Sequence, residues 1–248
     1  MAKTPYLSVV LPAFNEADNF KAGVLNLVVD FLNHQKYAWE VILVDDGSTD
    51  ATYKLLGQFC AKYTGFKLLR IKHGGKAAAV TAGVLAAQGQ LILFTDFDQS
   101  TPLAEVTKFI AKHEAGADVV ISYRQDRQDT LIAKVRGQAF VALVQLIALP
   151  GIRDSQCGFK SFTAISAQKI FNRLLVAKPK QKISGGYMGA FDVEVLYLAR
   201  KYGYRIDQVP VQWTRFVSNR LNIWKEPVQM AYDTVRVRLY DILGKYEG

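Results

Sequence analysis

Two short acidic stretches have the residue types and spacing best suited to chemistry, and each directly follows a run of β-forming apolar residues. Asp45-Asp46-Gly47-Ser48 follows residues 39–44, and Asp96-Phe97-Asp98 follows residues 91–95. Carboxylates at the carboxyl end of a strand face the crevice in which open α/β sheets bind ligands. Two carboxylates one residue apart can hold a hard divalent cation, with water and a substrate diphosphate completing its shell. The pattern indicates a site for a nucleotide-activated substrate.

A third polar stretch, Pro12-Ala13-Phe14-Asn15-Glu16, follows the first apolar run of the chain. One interpretation is structural, with Asn15 or Asp18 capping the next helix. The other is functional, with Glu16 and the backbone at Pro12 and Ala13 facing a base or ribose. Asp46 has the same two interpretations, as part of an Asp-Gly turn or as a ligand of a nucleoside hydroxyl or base edge.

The stretch His73-Gly74-Gly75-Lys76 predicts a glycine turn that opens a helix. A helix amino terminus attracts anions through its unpaired N–H groups, and Lys76 would add a point charge for a diphosphate. The spacing is not that of a P-loop, and no Gly-x-Gly-x-x-Gly follows the first strand, so we do not expect a dinucleotide oxidoreductase. Three scattered histidines predict neither a zinc site nor a catalytic triad.

The elements that must position these residues alternate between strand and helix, which predicts the α/β class with right-handed crossovers and a mainly parallel sheet. Predicted strands lie at 6–11, 41–44, 66–71, 91–95, 117–122, 158–162 and 204–213. Predicted helices cover 18–32, 77–87, 131–149 and 191–201. Three further helices are predicted from one end only: one capped by Asp50, one that starts at Thr101-Pro102, and an amphipathic one that starts at 225. We expect a catalytic domain over 1–215 and an amphipathic helical appendage over 216–248.

Composition restricts the partners and the compartment. The formal charge of +9, from 31 basic and 22 acidic residues, indicates an anionic partner such as a phosphorylated substrate or a lipid surface. No nucleic-acid motif accompanies the charge, so we expect no nucleic-acid partner. Two cysteines fit a reducing compartment, and neither a signal peptide nor a run of about 20 apolar residues is found. We expect a cytoplasmic protein, peripheral on the cytoplasmic face of a membrane.

Taken together, Pro-x-x-Asn-Glu, Val-Asp-Asp-Gly-Ser-x-Asp, Gly-Lys and Asp-x-Asp, in this order, resemble glycosyltransferase family 2 over residues 6–213. That resemblance implies the GT-A fold, a Rossmann-like and mainly parallel sheet flanked by helices. The run from Asp154 to Lys160, Asp-Ser-Gln-Cys-Gly-Phe-Lys, followed by Phe191-Asp192-Val193-Glu194, is similar to the polyprenyl-phosphate glycosyltransferases. These include dolichyl-phosphate mannose and glucose synthases, and the form of the run is closer to the glucose branch.

The resemblance also implies roles for individual residues. The nucleoside pocket would be lined by Pro12, Ala13, Glu16, Val44 and Asp46. The ribose, the diphosphate and a Mg²⁺ or Mn²⁺ ion would be met by Lys76, Asp96, Phe97 and Asp98, with Asp98 the direct metal ligand. Ser100 stands at the metal-binding position where some relatives have glutamine, and Arg124 and Arg136 match basic positions near the donor and acceptor phosphates.

The reaction implied is inverting transfer of a hexose from a nucleoside-diphosphate sugar, UDP-glucose in preference to GDP-mannose, to a polyprenyl or dolichyl phosphate. A phosphate monoester with a second pKa of about 6 is already anionic near neutral pH, so a strong base is unnecessary. Positive charge from Lys76, Arg124, Arg136 and Lys160 would gather the two anions. Asp154 would act either as a base or by orienting Arg136 or Lys160.

The lipid acceptor requires an interface, for which we expect helix 131–149 and the C-terminal helix, aided by Lys178, Lys180 and Lys182. The glycine-rich stretch 185–189 is either a mobile loop over the substrate or a passive connector. A partner protein could supply a membrane anchor. The alternatives are a family 2 enzyme acting on a soluble or cell-wall acceptor, a nucleotidyltransferase, and a non-catalytic module that binds nucleotide sugars.

Overall fold

The computed structural model describes residues 4–125, 131–176, 190–214 and 225–247, with no description of the side chains at 131–137, 139 and 225–227. A seven-stranded sheet forms its centre, in the order β3-β2-β1-β4-β6-β5-β7. The strands are β1 Leu7–Ala13, β2 Trp39–Asp45, β3 Phe66–Arg70, β4 Leu91–Phe94, β5 Val119–Arg124, β6 Lys160–Thr163 and β7 Ile206–Val211. The predicted α/β class is confirmed.

One strand of this sheet runs against the others. β1 pairs in parallel with β2 and β4, β2 with β3, and β5 with β7. β6 is antiparallel to both of its neighbours, and its Lys160 is opposite Phe94 of β4 and Ile121 of β5. The start of β6 therefore lies at the same edge of the sheet as the ends of β4 and β5.

Helices cover both faces of the sheet. They are α1 Ala17–Lys21, α2 Val24–Asn33, α3 Thr52–Lys62, α4 Lys76–Ala86, α5 Val106–Glu114, α6 Leu131–Ile147, α7 Ala164–Phe171, α8 Phe191–Lys201 and α9 Lys225–Ile242. Alternate residues of the strands enter two separate cores, as Val10 and Ile42 do on one face and Leu11 and Leu43 on the other. Because both faces are covered, the strands read as continuous apolar runs rather than as alternating ones.

Several predicted elements differ locally from the structure. The helix predicted over 18–32 is two helices, because Gly23 has a φ of 83° and interrupts the hydrogen-bonding pattern. Pro102 does not occupy a first helical position, since its ψ of 138° is extended and a 3₁₀ turn at Leu103–Glu105 precedes α5. Helix α7 was not predicted, and Asp50 lies one residue before the N-cap Ala51 of α3, where it accepts a hydrogen bond from the Thr52 N–H.

The apolar face predicted for the C-terminal helix is exposed on α9, which packs against α6 and α8 through its opposite side. Among the side chains described for 228–242, the buried ones are Asp233, Thr234 and Val237. Tyr246, beyond the helix end, is also buried, and its hydroxyl donates to Glu194 Oε1 of α8. None of the helices in the described ranges is long and apolar enough to span a membrane. The predicted domain boundary at 215 stays a prediction, because 215–224 lie outside those ranges.

Gly83 brings α4 close to the sheet, and its substitution tests that approach. A Cβ added at Gly83 would overlap Val10 Cγ1 and lie 2.9 Å from Val44 Cγ2, so Gly83→Ala should lower the free energy of unfolding by about 1–3 kcal/mol. Gly57→Ala is the control, because its Cβ would meet Leu68 Cδ2 at 3.8 Å. That variant should gain roughly 0.5–1 kcal/mol of helix propensity. Urea unfolding measures both, and a more stable Gly83→Ala protein would contradict the close packing.

Candidate active site

The candidate site lies along the sheet edge where β1, β2, β4 and β5 end and β6 begins. Continuing the antiparallel register from Phe94 opposite Lys160 brings Gly158 next to Asp96. A Cβ on Gly158 would overlap the Asp96 carboxylate, which confirms how closely they approach. The segment 154–160 thus lies between the two chain segments that follow β4 and β5.

The loop after β1 is tied to the loop after β2 by a short hydrogen-bond network. Asn15, in the left-handed region with a φ of 54°, accepts through Oδ1 from the Thr49 N–H at 2.9 Å, and its own N–H donates to Ser48 Oγ at 3.0 Å. The Glu16 N–H donates to Thr52 Oγ1 at 2.8 Å. The polar residues of Pro-x-x-Asn-Glu therefore join two loops, a role different from the helix cap considered for Asn15.

Asp46 holds the glycine turn together. Its carboxylate accepts hydrogen bonds from the Gly74 N–H at 2.7 Å and the Gly75 N–H at 2.9 Å, and His73 Nδ1 lies 2.9 Å from Oδ2. The anion that these N–H groups bind is thus the protein's own, and Asp46 is 2% exposed. We reassign Asp46 from nucleoside recognition to support of the turn that starts α4.

The other residues predicted to line the nucleoside pocket differ in how deeply they are buried. Val44 is fully buried and its side chain faces Gly83 of α4, and its place in the lining of the nucleoside pocket stays a prediction. Ala13 is also buried, whereas Pro12 and Glu16 are partly exposed at the edge. Beside them, the His73 ring stacks on Phe14 with a centroid distance of 4.3 Å, a pair that the sequence analysis did not identify.

Lys76, the first residue of α4, forms an ion pair with Asp96 at the end of β4. Its side chain is 15% exposed and that of Asp96 is 37% exposed, so the pair faces the crevice. Burial alone would lower the pKa of Lys76, but the negative charges of Asp96, Asp192 and Asp98 outweigh burial and raise it. Lys76 therefore keeps its positive charge, as a diphosphate site requires.

Asp98 and Ser100 form a tight turn after β4. The Ser100 N–H and hydroxyl both donate to Asp98 Oδ1, at 2.9 and 2.7 Å, across Gln99, whose φ is 54°. Ser100 orients the Asp98 carboxylate, a role that differs from the predicted metal ligation. The Phe97 side chain is buried in one of the two cores, and the contact of this residue with the donor stays a prediction.

Arg124 and Asp154 form a two-point ion pair across the ends of β5 and the segment before β6. Arg124 Nε and Nη2 donate to the two carboxylate oxygens at 2.7 and 3.0 Å, and the guanidinium lies 5.3 Å from the Trp213 ring centroid. Burial alone would raise the pKa of Asp154, but the hydrogen bonds and charge of Arg124, with Lys160, lower it. Of the two roles considered for Asp154, orientation is the one that this geometry favours, and its partner is Arg124.

Lys160 is not at the surface of the site. Its side chain is fully buried, and Nζ donates to Asp192 Oδ1 at 2.5 Å and to the Cys157 carbonyl oxygen at 2.6 Å. The Lys160 ammonium is thus bound by protein groups, and its role in gathering substrate phosphates stays a prediction. Arg136 lies on α6 but its side chain is outside the description, as are Lys178, Lys180, Lys182 and the glycine-rich stretch 185–189.

Asp192 and Trp213 are the site residues that sequence reasoning missed. The run Phe191-Asp192-Val193-Glu194 supported the family resemblance, but no role was predicted for Asp192, and α8 is buried from Phe191 to Ala199. Trp213 follows β7, next to Thr214, whose N–H donates to the Ser100 carbonyl oxygen at 2.8 Å. An aromatic residue at a strand end carries no chemistry by its type, so only its position against Arg124 identifies it.

The sequence matches the model of a known protein family over most of its length. The family model for glycosyl transferase family 2 matches residues 8–178. The chain therefore belongs to glycosyltransferase family 2 and is a glycosyltransferase with the GT-A fold.

Among curated relatives, the chain is similar to dolichyl-phosphate beta-glucosyltransferases. The protein from Dictyostelium discoideum is 34% identical over 260 residues, covering 96% of this chain and 76% of the relative. The human protein of that name is 30% identical, covering 98% of this chain and 78% of its own length. The resemblance to polyprenyl-phosphate glycosyltransferases is confirmed.

Solved structures support the fold. A glucosyl-3-phosphoglycerate synthase from Mycobacterium tuberculosis, in complex with phosphoglyceric acid, matches with a TM-score of 0.66 and 18% identity, covering 94% of this chain and 80% of that one. A mannosyltransferase from Pyrobaculum calidifontis, in complex with GDP-Man and Mn²⁺, matches with a TM-score of 0.62 and 20% identity, covering 95% and 65%. At these identities the likeness concerns the fold alone.

Asp154→Asn tests the pairing with Arg124 through the pH dependence of stability. The folded-state pKa of Asp154 lies below its unfolded value of about 3.9, so its contribution is complete above that value and is lost as the pH falls through the folded-state pKa. At pH 7 the variant should lose roughly 3 kcal/mol, because Arg124 keeps a largely buried charge without its counter-ion.

Urea unfolding of wild type and variant between pH 2 and 7 measures this difference. The exposed Asp18, which lies 3.7 Å from Lys21, gives the control Asp18→Asn, with little change expected. A difference for Asp154→Asn that stays constant down to pH 2 would contradict an ionised, paired Asp154.

Proposed function

We propose that this protein transfers glucose from UDP-glucose to a dolichyl or other polyprenyl phosphate, with inversion at the anomeric carbon. The observation that carries the proposal is the two-point binding of Asp154 by Arg124. A hydroxyl acceptor requires a base, whereas a carboxylate held with a lowered pKa is a poor one. A phosphate acceptor needs no base, since its oxygen is already anionic, and the relatives named above bear the name of that lipid acceptor.

We assign the donor to the crevice between α4 and β4. Lys76 is a charged group that faces this crevice and would approach the donor diphosphate, with Pro12 and Glu16 at its nucleoside end. Arg124, held by Asp154 and flanked by Trp213, would bind the phosphate of the acceptor on the far side of segment 154–160. Two anions would thus meet between two fixed cations, which reduces their repulsion without reorganisation of the protein.

A divalent cation, Mg²⁺ or Mn²⁺, fits the carboxylates of Asp96 and Asp98. No group of three or more His, Cys, Asp or Glu side chains suited to a metal is found within the described ranges. Mg²⁺ commonly binds through one or two carboxylates and takes its remaining ligands from water and substrate phosphates, and the turn at Ser100 presents Asp98 for this. When bound, such an ion would neutralise charge on the departing diphosphate.

The transfer assay tests donor, acceptor and metal ligand together. Wild-type protein with Mn²⁺ or Mg²⁺ and dolichyl phosphate should form glycolipid from UDP-glucose and not from GDP-mannose. Asp98→Asn should lower the rate by about 10³-fold, because charge on the departing diphosphate is then poorly compensated. Asp30→Asn, on the exposed side of α2, should leave the rate unchanged.

Each of the other possible results of this assay contradicts one part of the proposal. Product from GDP-mannose alone would change the donor, and transfer to a soluble acceptor with lipid phosphate inert would contradict the acceptor. Full activity of Asp98→Asn would remove the metal assignment.

We further propose that α9 lies on the surface of a bilayer, where the lipid acceptor resides. Six apolar side chains of α9 and the turn after it are 40–71% exposed, namely Val228, Tyr232, Val235, Leu239, Ile242 and Leu243. Leu146 of α6, the helix packed beside α9, is 87% exposed. A contiguous exposed apolar surface indicates an interaction site, and the formal charge of +9 favours anionic lipid. Cytoplasmic location and an anchoring partner protein stay predictions.

Flotation with phosphatidylcholine vesicles containing phosphatidylserine tests this surface. Leu239→Glu combined with Ile242→Glu should lower the vesicle-bound fraction by at least about 10-fold, since burial of one such side chain contributes roughly 1.5–3 kcal/mol. Leu27→Glu is the matched control, because Leu27 is 67% exposed on α2, which packs in the other core. Equal flotation of the double variant and the wild type would exclude α9 as the binding surface.

A further inference from the structure

A buried ion pair behind the candidate active site has no part in the proposed chemistry. Lys160 and Asp192 are 0% and 3% exposed in their side chains, with Nζ 2.5 Å from Oδ1. Replacing such a pair by apolar residues of similar volume is often neutral or stabilising, because burying two charges costs much of what their attraction returns. Stability alone therefore gives little reason for these charges, and their surroundings suggest another role.

The chain around Lys160 is in direct contact with the donor crevice. Lys160 is opposite Phe94 in the sheet, and its Nζ lies 5.5 Å from the centroid of that ring. Its second hydrogen bond holds the Cys157 carbonyl oxygen, one residue before Gly158. Gly158 in turn packs against the Asp96 carboxylate so closely that a Cβ would overlap it. The position of the Lys160 ammonium thus fixes the backbone that supports Asp96.

Asp192 binds the Lys160 ammonium from the side of helix α8. It lies in the first turn of α8, and its carboxylate accepts a hydrogen bond from Lys160 Nζ. Lys160 therefore connects the start of α8 to the backbone at Cys157, which is next to Gly158 in the chain.

We propose that Lys160 and Asp192 are positioning residues for the donor site: they fix the backbone at Cys157 and Gly158, and through it the place of Asp96. This inference rests on the assignment of the donor diphosphate to the crevice beside Lys76. The pair does not touch substrate, since both side chains are buried. Its loss should weaken donor binding and leave the acceptor side, which depends on Arg124, as it is.

The double variant Lys160→Met with Asp192→Leu removes both charges and keeps the volume. We expect it to fold, and to bind UDP in the presence of Mn²⁺ at least about 10-fold more weakly than wild type by calorimetry. In the transfer assay, KM for UDP-glucose should rise by a similar factor, with KM for dolichyl phosphate unchanged. A structural role alone would not separate the two KM values. If the double variant does not fold, Asp192→Asn, which keeps an acceptor for Lys160, should show the same separation.

A second ion pair on the same helix supplies the control. Lys201 of α8 pairs with Asp241 of α9 at 2.5 Å, nine residues along from Asp192, so Lys201→Met with Asp241→Leu should leave UDP affinity unchanged. Wild-type affinity for UDP in the Lys160 and Asp192 variants would overturn the positioning role. Wild-type protein that binds UDP but transfers no glucose would contradict the proposed function only, whereas protein that binds neither UDP nor GDP would overturn both.

Discussion

The insertion of one antiparallel strand into an otherwise parallel sheet is the constraint on which the site depends. Because β6 runs against β4 and β5, its start lies at the edge where the parallel strands end. The segment 154–160 therefore enters the crevice, with Asp154 on Arg124 at one end and Gly158 against Asp96 near the other. A parallel β6 would carry the same residues to the opposite edge, away from every carboxylate that they support.

Most charged groups of this edge are already compensated within the protein. Asp46 is held by two backbone N–H groups and His73, Asp154 by Arg124, and Asp192 by Lys160. Buried charges require such partners because they lose the solvation that water provides. The pair of Lys76 and Asp96 differs, since both groups are partly exposed to the crevice in which the proposed diphosphate and cation would bind. Charges compensated inside the protein thus surround a small set of partly exposed ones, which is the arrangement expected of a preorganised site.

The sequence predicted the class of fold, most strand positions and the edge at which the site lies, because buried parallel strands are recognisable as apolar runs followed by polar turns. It did not predict which polar residues are already bound by other parts of the protein. Asp46, Ser100 and Lys160 were assigned to substrate or metal, whereas their hydrogen-bond partners are protein atoms. Residue type shows that a group can bind an anion or a cation, but not whether the protein has already supplied one.

The sequence by itself determined that this chain forms an α/β sheet covered on both faces, with acidic turns at one edge. Local apolar patterns, and the alternation of strands and helices along the chain, follow from neighbouring residues. Only the tertiary structure decided that Asp46 is buried whereas Asp96 is partly exposed, that Asp154 pairs with Arg124, and that Asp192 reaches Lys160 from 32 positions along the chain. Those pairings depend on strand direction and on helix packing between distant segments. The backbone places each side chain, and the number of residues between two side chains in the sequence does not give the distance between them in space.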